Sequence, residues 1–165
     1  VAEWLIKDTS WANSVAGRAQ EFPSVNMHAD ARSIALVNTL FCSGGVVGDV
    51  RLLSPETVAL SFSEPVIARD EFLNATYSFS KGGFSRLEDM QTIVVPPDFR
   101  QIYDGFWGWG GLGGSWSLWD PHRRVSFAYM MNAKTFQNLG GPRGDRIMRA
   151  VQEVLMQEEV PFSPL

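Results

Sequence analysis

The sequence is poor in the residues that most often announce a chemistry. Its 165 residues hold one cysteine, Cys42, so no disulfide can close within the chain. That thiol and two histidines, His28 and His122, are too few for a zinc site, and no metal or cofactor is expected. Positive charge is in deficit, with 14 basic against 18 acidic side chains and a net charge of −4. This leaves no electrostatic footprint for a nucleic acid, and none is expected as a partner. No apolar run approaches the roughly 20 residues that cross a bilayer, so no transmembrane segment is expected. The chain opens at Val1 with neither a methionine nor a signal-like stretch. It reads as a soluble processed or trimmed polypeptide with no visible targeting segment, and its compartment is not legible. Internal repeats and low-complexity tracts are absent as well.

What is present is an ordinary globular balance, 45% hydrophobic and 19% charged, which argues against disorder or a coiled coil. The length predicts one domain, or part of one, over residues 1–165, with roughly two thirds of its surface buried on folding. Fifteen glycines and six tryptophans are unevenly spread.

Residues Ala2 to Ala19 read as helical in part, and Pro23-Ser24-Val25-Asn26 as a turn. From Asp30 to Phe41 the spacing of Ile34, Val37, Leu40 and Phe41 predicts a helix with one apolar stripe, capped by Asp30 and stopped by Gly44-Gly45. Ser54-Pro55-Glu56 starts a second, shorter helix: serine caps, proline suits the first turn, and glutamate suits the positive end. Between Pro65 and Gln101 the pattern is thin. It offers only a strand at Tyr77-Ser78-Phe79, a turn at Lys81-Gly82-Gly83 and a loop at Pro96-Pro97. The alternation of Ser115–Trp119 and of Val125–Asn132, around a turn at Asp120–Arg124, predicts an antiparallel hairpin. Val125, Phe127, Tyr129 and Met131 take one face of its second strand. Ala128 and Met130 take the other, so the sheet should be covered on both sides. A last helix from about Asp145 to Gln157 should bury Ile147, Val151, Val154 and Leu155.

Half of the segment Gly105–Trp116 is glycine. Glycine this dense weakens a strand unless another backbone or a ligand must come close. One reading is a tight bend in a buried sheet with tryptophans filling the core. The other is a strand edge whose N–H groups hold a developing negative charge, where one donor is worth roughly 3–4 kcal/mol in the transition state. Gly108, Gly110 and Gly113 also fit the dinucleotide pattern G-x-G-x-x-G. That motif requires a helix directly behind it to hold the pyrophosphate, and here a strand and hairpin follow, so it is rejected.

Several blocks, in this order, resemble the serine beta-lactamase-like hydrolases, the group of class C beta-lactamases, penicillin-binding-protein-like proteins and related esterases. They are Pro23–Asn26 with Ala31–Ala35, Gly44-Gly45, Leu52–Thr57, Trp109–Ser115, Asp120-Pro121 and Phe127–Asn132. The resemblance runs from about residue 20 to the C-terminus. It implies an α/β (α+β) fold of the beta-lactamase/transpeptidase type, an antiparallel sheet flanked by helices, of which this chain is a C-terminal part. The family's third motif, Lys-Thr-Gly or a His or Trp variant, edges the active site. It falls here on Trp109-Gly110-Gly111. The resemblance makes the Leu112 backbone N–H the oxyanion-hole donor and Trp109, Gly110, Gly111 and Gly113 the substrate-binding residues. Tryptophan in place of lysine gives no charge for a substrate carboxylate, which favours an ester or neutral acyl substrate.

The family's nucleophile is the serine of Ser-x-x-Lys, supported by a Tyr-x-Asn motif, and both lie upstream of the blocks seen here. Ser78-Phe79-Ser80-Lys81 fits the first motif literally. It falls in an expected strand before Gly82-Gly83, not on a helix that would stack serine and lysine, so it reads as coincidence. The chain alone is therefore expected to be inactive, and the missing N-terminal part of the same domain becomes its partner beside a small-molecule acyl or ester substrate. The expected function is the C-terminal part of a serine hydrolase working through an acyl-enzyme. The alternative is an inactive relative serving binding or assembly, and a third reading is a carbohydrate-binding surface of exposed tryptophans. Ser115, Asp120 and His122 make a weak triad, since His122 lies in a polar turn. His28 reads as a solvated or capping loop residue, Cys42 as a small buried apolar one, and Arg123-Arg124 as a solvated turn.

Overall fold

The computed structural model describes residues 10–24, 27–71, 74–91, 96–111, 113–133 and 140–157. Two short helical turns come first, α1 (Ser10–Asn13) and α2 (Val15–Arg18). The remainder of the expected N-terminal helix, and Val25 and Asn26 of the expected turn, lie outside the described residues. His28 ties this segment together, its Nε2 lying 2.9 Å from the Ala12 carbonyl.

Helix α3 (Ala31–Cys42) starts where the sequence predicts. Asp30 is its N-cap, and the carboxylate accepts the Ser33 amide at 2.8 Å. Gly44 and Gly45, both at positive φ, end it. A small hairpin, β1 (Val46–Val47) with β2 (Val50–Arg51), leads to α4 (Pro55–Ser61). Ser54 caps α4 by accepting the Thr57 amide at 3.1 Å, with Pro55 in the first turn, as expected.

The main sheet is a six-stranded antiparallel meander whose strands lie in chain order. They are β3 (Val66–Asp70), β4 (Ala75–Phe79), β5 (Ser85–Arg86), β6 (Trp107–Gly110), β7 (Trp116–Asp120) and β8 (Val125–Tyr129). Three of these strands fall in the stretch where the sequence was least legible. A 3-10 turn (Leu87–Asp89) and α5 (Phe99–Ile102) connect β5 to β6. The long helix α6 (Gly141–Gln157) closes the described fold.

Both sheet faces are covered, as the alternation in β8 implies. On one face Trp116, Leu118 and Phe127 pack with Phe99, Tyr103 and Met148. On the other, Trp107 and Trp119 pack with Cys42, Phe41, Phe62 and Phe84, and the Phe41 and Trp119 rings stack 4.5 Å apart. Cys42 is buried, as expected. Its thiol lies 3.2 Å from the Val125 carbonyl, and burial pushes its pKa up to about 12.

Each expected helical stripe holds in part: in α3 Ile34 and Leu40 are buried and Phe41 packs against the core, and in α6 Val151 and Leu155 are partly buried. Val37 is exposed, and the sheet-facing position next to it belongs to Asn38. This buried amide donates to the Leu118 carbonyl at 3.2 Å, while its oxygen accepts the Ser117 hydroxyl at 3.2 Å. A polar side chain that grips strand carbonyls is not read by an apolar count. Helix α6 begins at Gly141, not Asp145, and Ile147 and Val154 face solvent. Its buried line runs through Gly144, Asp145, Met148 and Gln152, with Val151 and Leu155 partly buried beside it. Gly144 lets the helix approach the Trp116 indole. Asp145 accepts the Tyr103 hydroxyl at 2.8 Å, and Gln152 accepts from Arg123 at 2.7 Å. Two polar residues thus hold core positions because each has a partner.

Candidate active-site edge

The glycine-rich segment forms β6 and the hairpin after it. Gly111 donates its amide to the Ser115 carbonyl at 2.8 Å, and its own carbonyl accepts the Gly114 amide at 3.0 Å. These two bonds close a tight connection in which Gly113 and Gly114 take φ of 99° and 104°.

The β6 glycines differ in what they need. A Cβ on Gly108 would lie 2.1 Å from the Ser117 carbonyl oxygen, so the neighbouring backbone dictates glycine there. A Cβ on Gly111 would meet nothing closer than Ser115 Cβ at 3.5 Å, an ordinary contact, and the φ of Gly111 is not positive. Packing thus explains Gly108 and leaves Gly111 without a reason inside the described chain.

Strand pairing explains the local opening. On one side β6 pairs with β7 along its whole length, from Trp107↔Trp119 to Gly110↔Trp116. On the other it meets β5, which pairs only with Trp107 and Gly108. Among the described residues no strand pairs with Trp109 or Gly110 on that side. Since Gly111 bonds toward β7, alternation along the strand turns the amide and carbonyl of Gly110 the other way, past the end of β5. Gly110 is buried and Gly111 half-buried.

Trp109 sits beside this edge, 39% exposed, whereas Trp107, Trp116 and Trp119 are core residues. Its ring centroid lies 5.2 Å from that of Tyr77 and 5.4 Å from that of Phe79. Tyr77 is buried, and that burial, aided by Asp70, raises its phenol pKa. Neither ring was singled out as a site residue from the sequence. Alternation in β4 puts them on a common face, but their meeting with Trp109 depends on the brevity of β5. Of the described cations that follow β4 in sequence, Lys81 pairs with Glu64 at 2.8 Å, and Arg86 pairs with Glu88 and Asp89.

The remaining candidates separate. Leu112 lies outside the described residues. Ser78 is buried in β4 and Lys81 sits in the following turn, so the literal Ser-x-x-Lys is not on a helix. Ser115 directly precedes β7 and Asp120 ends it, roughly 16 Å apart for extended backbone. Asp120 instead accepts the amides of His122 at 2.8 Å and Arg123 at 3.0 Å. Arg123 is not the solvated turn residue expected from its polar neighbours. It bridges Asp120, Asp104 and Gln152 and ties the β7–β8 turn to α6, whereas Arg124 is exposed. Among the described residues no cluster of His, Cys, Asp or Glu could hold a metal, and no helix is long and apolar enough to cross a membrane.

No family model and no curated protein matches the chain. Solved structures do. A family VIII carboxylesterase is 28% identical, with a TM-score of 0.70 over 86% of this chain and 36% of its own. A penicillin-binding protein homolog from Caulobacter crescentus is 28% identical, with a TM-score of 0.68 over 84% of this chain and 36% of its own. The chain thus spans about a third of the length of either. Antiparallel sheet, flanking helices and ordered motifs together make it a portion of the beta-lactamase-like serine hydrolase fold, the C-terminal one that its motifs resemble.

Proposed function

We propose that residues 1–165 are the C-terminal part of one serine hydrolase domain that cleaves an ester or amide through a serine acyl-enzyme. The missing N-terminal part of that domain supplies the Ser-x-x-Lys nucleophile and the Tyr-x-Asn group. The serine oxygen bonds to the substrate carbonyl carbon, and its proton passes by way of the lysine–tyrosine base network to the leaving alcohol or amine. Water then cleaves the acyl-enzyme and restores the serine. This chain contributes the substrate-binding edge Trp109, Gly110, Gly111 and Gly113, and the Leu112 N–H as oxyanion donor.

The observation that carries this reading is the β6 edge left unpaired at Gly110 where β5 ends. That open edge leads directly into the segment where the resemblance puts the oxyanion donor, so an amide there can meet a substrate instead of a neighbouring strand. Gly111 supports it too, because a glycine without a packing reason suits the close approach of a substrate backbone or acyl group.

A fluorophosphonate probe tests it. The longest native form should label at a serine outside this chain, and the 165-residue chain should not label. Labelling at Ser78 overturns the assignment of the nucleophile. No labelling of the longest form favours an inactive binding or assembly relative. Nitrocefin turnover at lactamase-like rates by that form contradicts the preference for a neutral substrate.

A further inference from the structure

The rings beside the unpaired edge have a division of labour. Phe79 and Trp109 are 36% and 39% exposed, while Tyr77 is 6% exposed. The Tyr77 ring lies 5.7 Å from Phe79, nearly parallel at 29°, and 5.2 Å from Trp109. One buried ring thus backs two half-open ones whose centroids are 5.4 Å apart and tilted by 36°. Trp109 is the residue directly before Gly110, so this surface is continuous with the strand edge. The two cations that follow Phe79 most closely in sequence, Lys81 and Arg86, are held by Glu64, Glu88 and Asp89, so neither offers a carboxylate a free charge.

We propose that Phe79 and Trp109 form a two-ring shelf, positioned by Tyr77, that takes the aromatic group of an uncharged ester. The proposal rests on the hydrolase reading above for the ester and on the ring geometry for the aromatic group. Offset or edge-on stacking of a third ring suits two rings that are tilted to each other and open on one side. Phe79 then determines specificity from a strand that holds none of the motif residues. A pyranose would need polar partners for its hydroxyls, whereas the stacking geometry of these rings suits a flat apolar group.

The test is binding without turnover. Methyl 2-naphthoate, methyl cyclohexanecarboxylate, the 2-naphthoate anion and a methyl pyranoside are titrated into the 165-residue chain and into the longest native form. The readout is the Trp109 indole N–H resonance, assigned with Trp109→Phe. The naphthoate ester should bind about fivefold or more tightly than the cyclohexane ester, the scale of one aromatic pair. Its anion should bind more weakly. Phe79→Ala should remove the preference and Phe79→Tyr should keep it, with unchanged thermal midpoints showing that both variants fold. Equal binding of the two esters, tighter binding of the anion or the pyranoside, or indifference to Phe79→Ala overturns the shelf. So does loss of aromatic binding in the longest form, which would make the rings an internal contact between parts of the domain. The two proposals fail separately: aromatic binding without fluorophosphonate labelling sinks the hydrolase and spares the shelf, and labelling without aromatic preference does the reverse.

Discussion

Gly108 lies so close to β7 that any side chain would run into the Ser117 carbonyl oxygen at 2.1 Å. Its φ of 135° adds a second obstacle for an L-residue. Gly111, three residues on, has neither restriction. Gly108→Ala should therefore cost about 3 kcal/mol or more, combining backbone strain with overpacking, and Gly111→Ala less than about 1 kcal/mol. Urea unfolding of the two variants measures this. Equal losses would make Gly111 a packing glycine too and remove its support for a substrate-facing edge.

Ser78 and Ser85 are fully buried, and neither hydroxyl has a hydrogen-bond partner among the described residues. A buried unpaired hydroxyl costs about 1–3 kcal/mol of desolvation, so removing it relieves the fold and leaves only a small void. Ser78→Ala and Ser85→Ala should be neutral or up to about 1 kcal/mol stabilising by thermal melting. Ser78→Ala should also leave fluorophosphonate labelling of the longest native form intact. A loss of labelling would return Ser78 to candidacy as nucleophile.

Local signals in the sequence were legible where one residue type has one physical role. Asp30 and Ser54 cap their helices, and Gly44-Gly45 ends α3. The alternation of Val125–Tyr129 marks a strand covered on both sides. Failures came where a polar residue does apolar duty. Asn38, Asp145 and Gln152 hold core positions through long-range partners, so stripes drawn from hydrophobic residues alone miss them and take in the exposed Val37, Ile147 and Val154 beside the correctly placed Ile34, Leu40, Val151 and Leu155. The glycine-rich strand was visible, but not which glycine serves packing, since that depends on a neighbouring strand's backbone. The two-residue length of β5, which exposes the edge and lets Tyr77 and Phe79 reach Trp109, leaves no periodic trace in Ser85-Arg86.

Cys42 provides a reporter of global opening. Its thiol is buried against the Val125 carbonyl with a pKa near 12, so at pH 8 it is almost wholly protonated and shielded. Reaction with a thiol reagent should be slower than for a model thiol by a factor comparable to the folded/unfolded ratio, and urea should accelerate it in step with the loss of near-UV signal. Fast labelling in native buffer would show that α3 separates from β7 and β8 without unfolding the sheet.

Asp145 should make stability fall as pH rises. Burial raises its pKa above the ordinary carboxylate value, and the hydrogen bond donated by Tyr103 only partly offsets this. The folded chain therefore keeps the Asp145 proton to a higher pH than the unfolded chain does. Its contribution is complete below about pH 4, where both states are protonated, and is lost as pH climbs through the raised value. Asp145→Asn keeps a carbonyl to accept from Tyr103 and removes the charge. It should be more stable than the parent at pH 7, with the gap closing toward pH 4, measured as urea midpoints across that range. An Asp145→Asn chain that is less stable at pH 7 would mean that the ionised carboxylate is favoured at this helix position, and the assigned direction would be wrong.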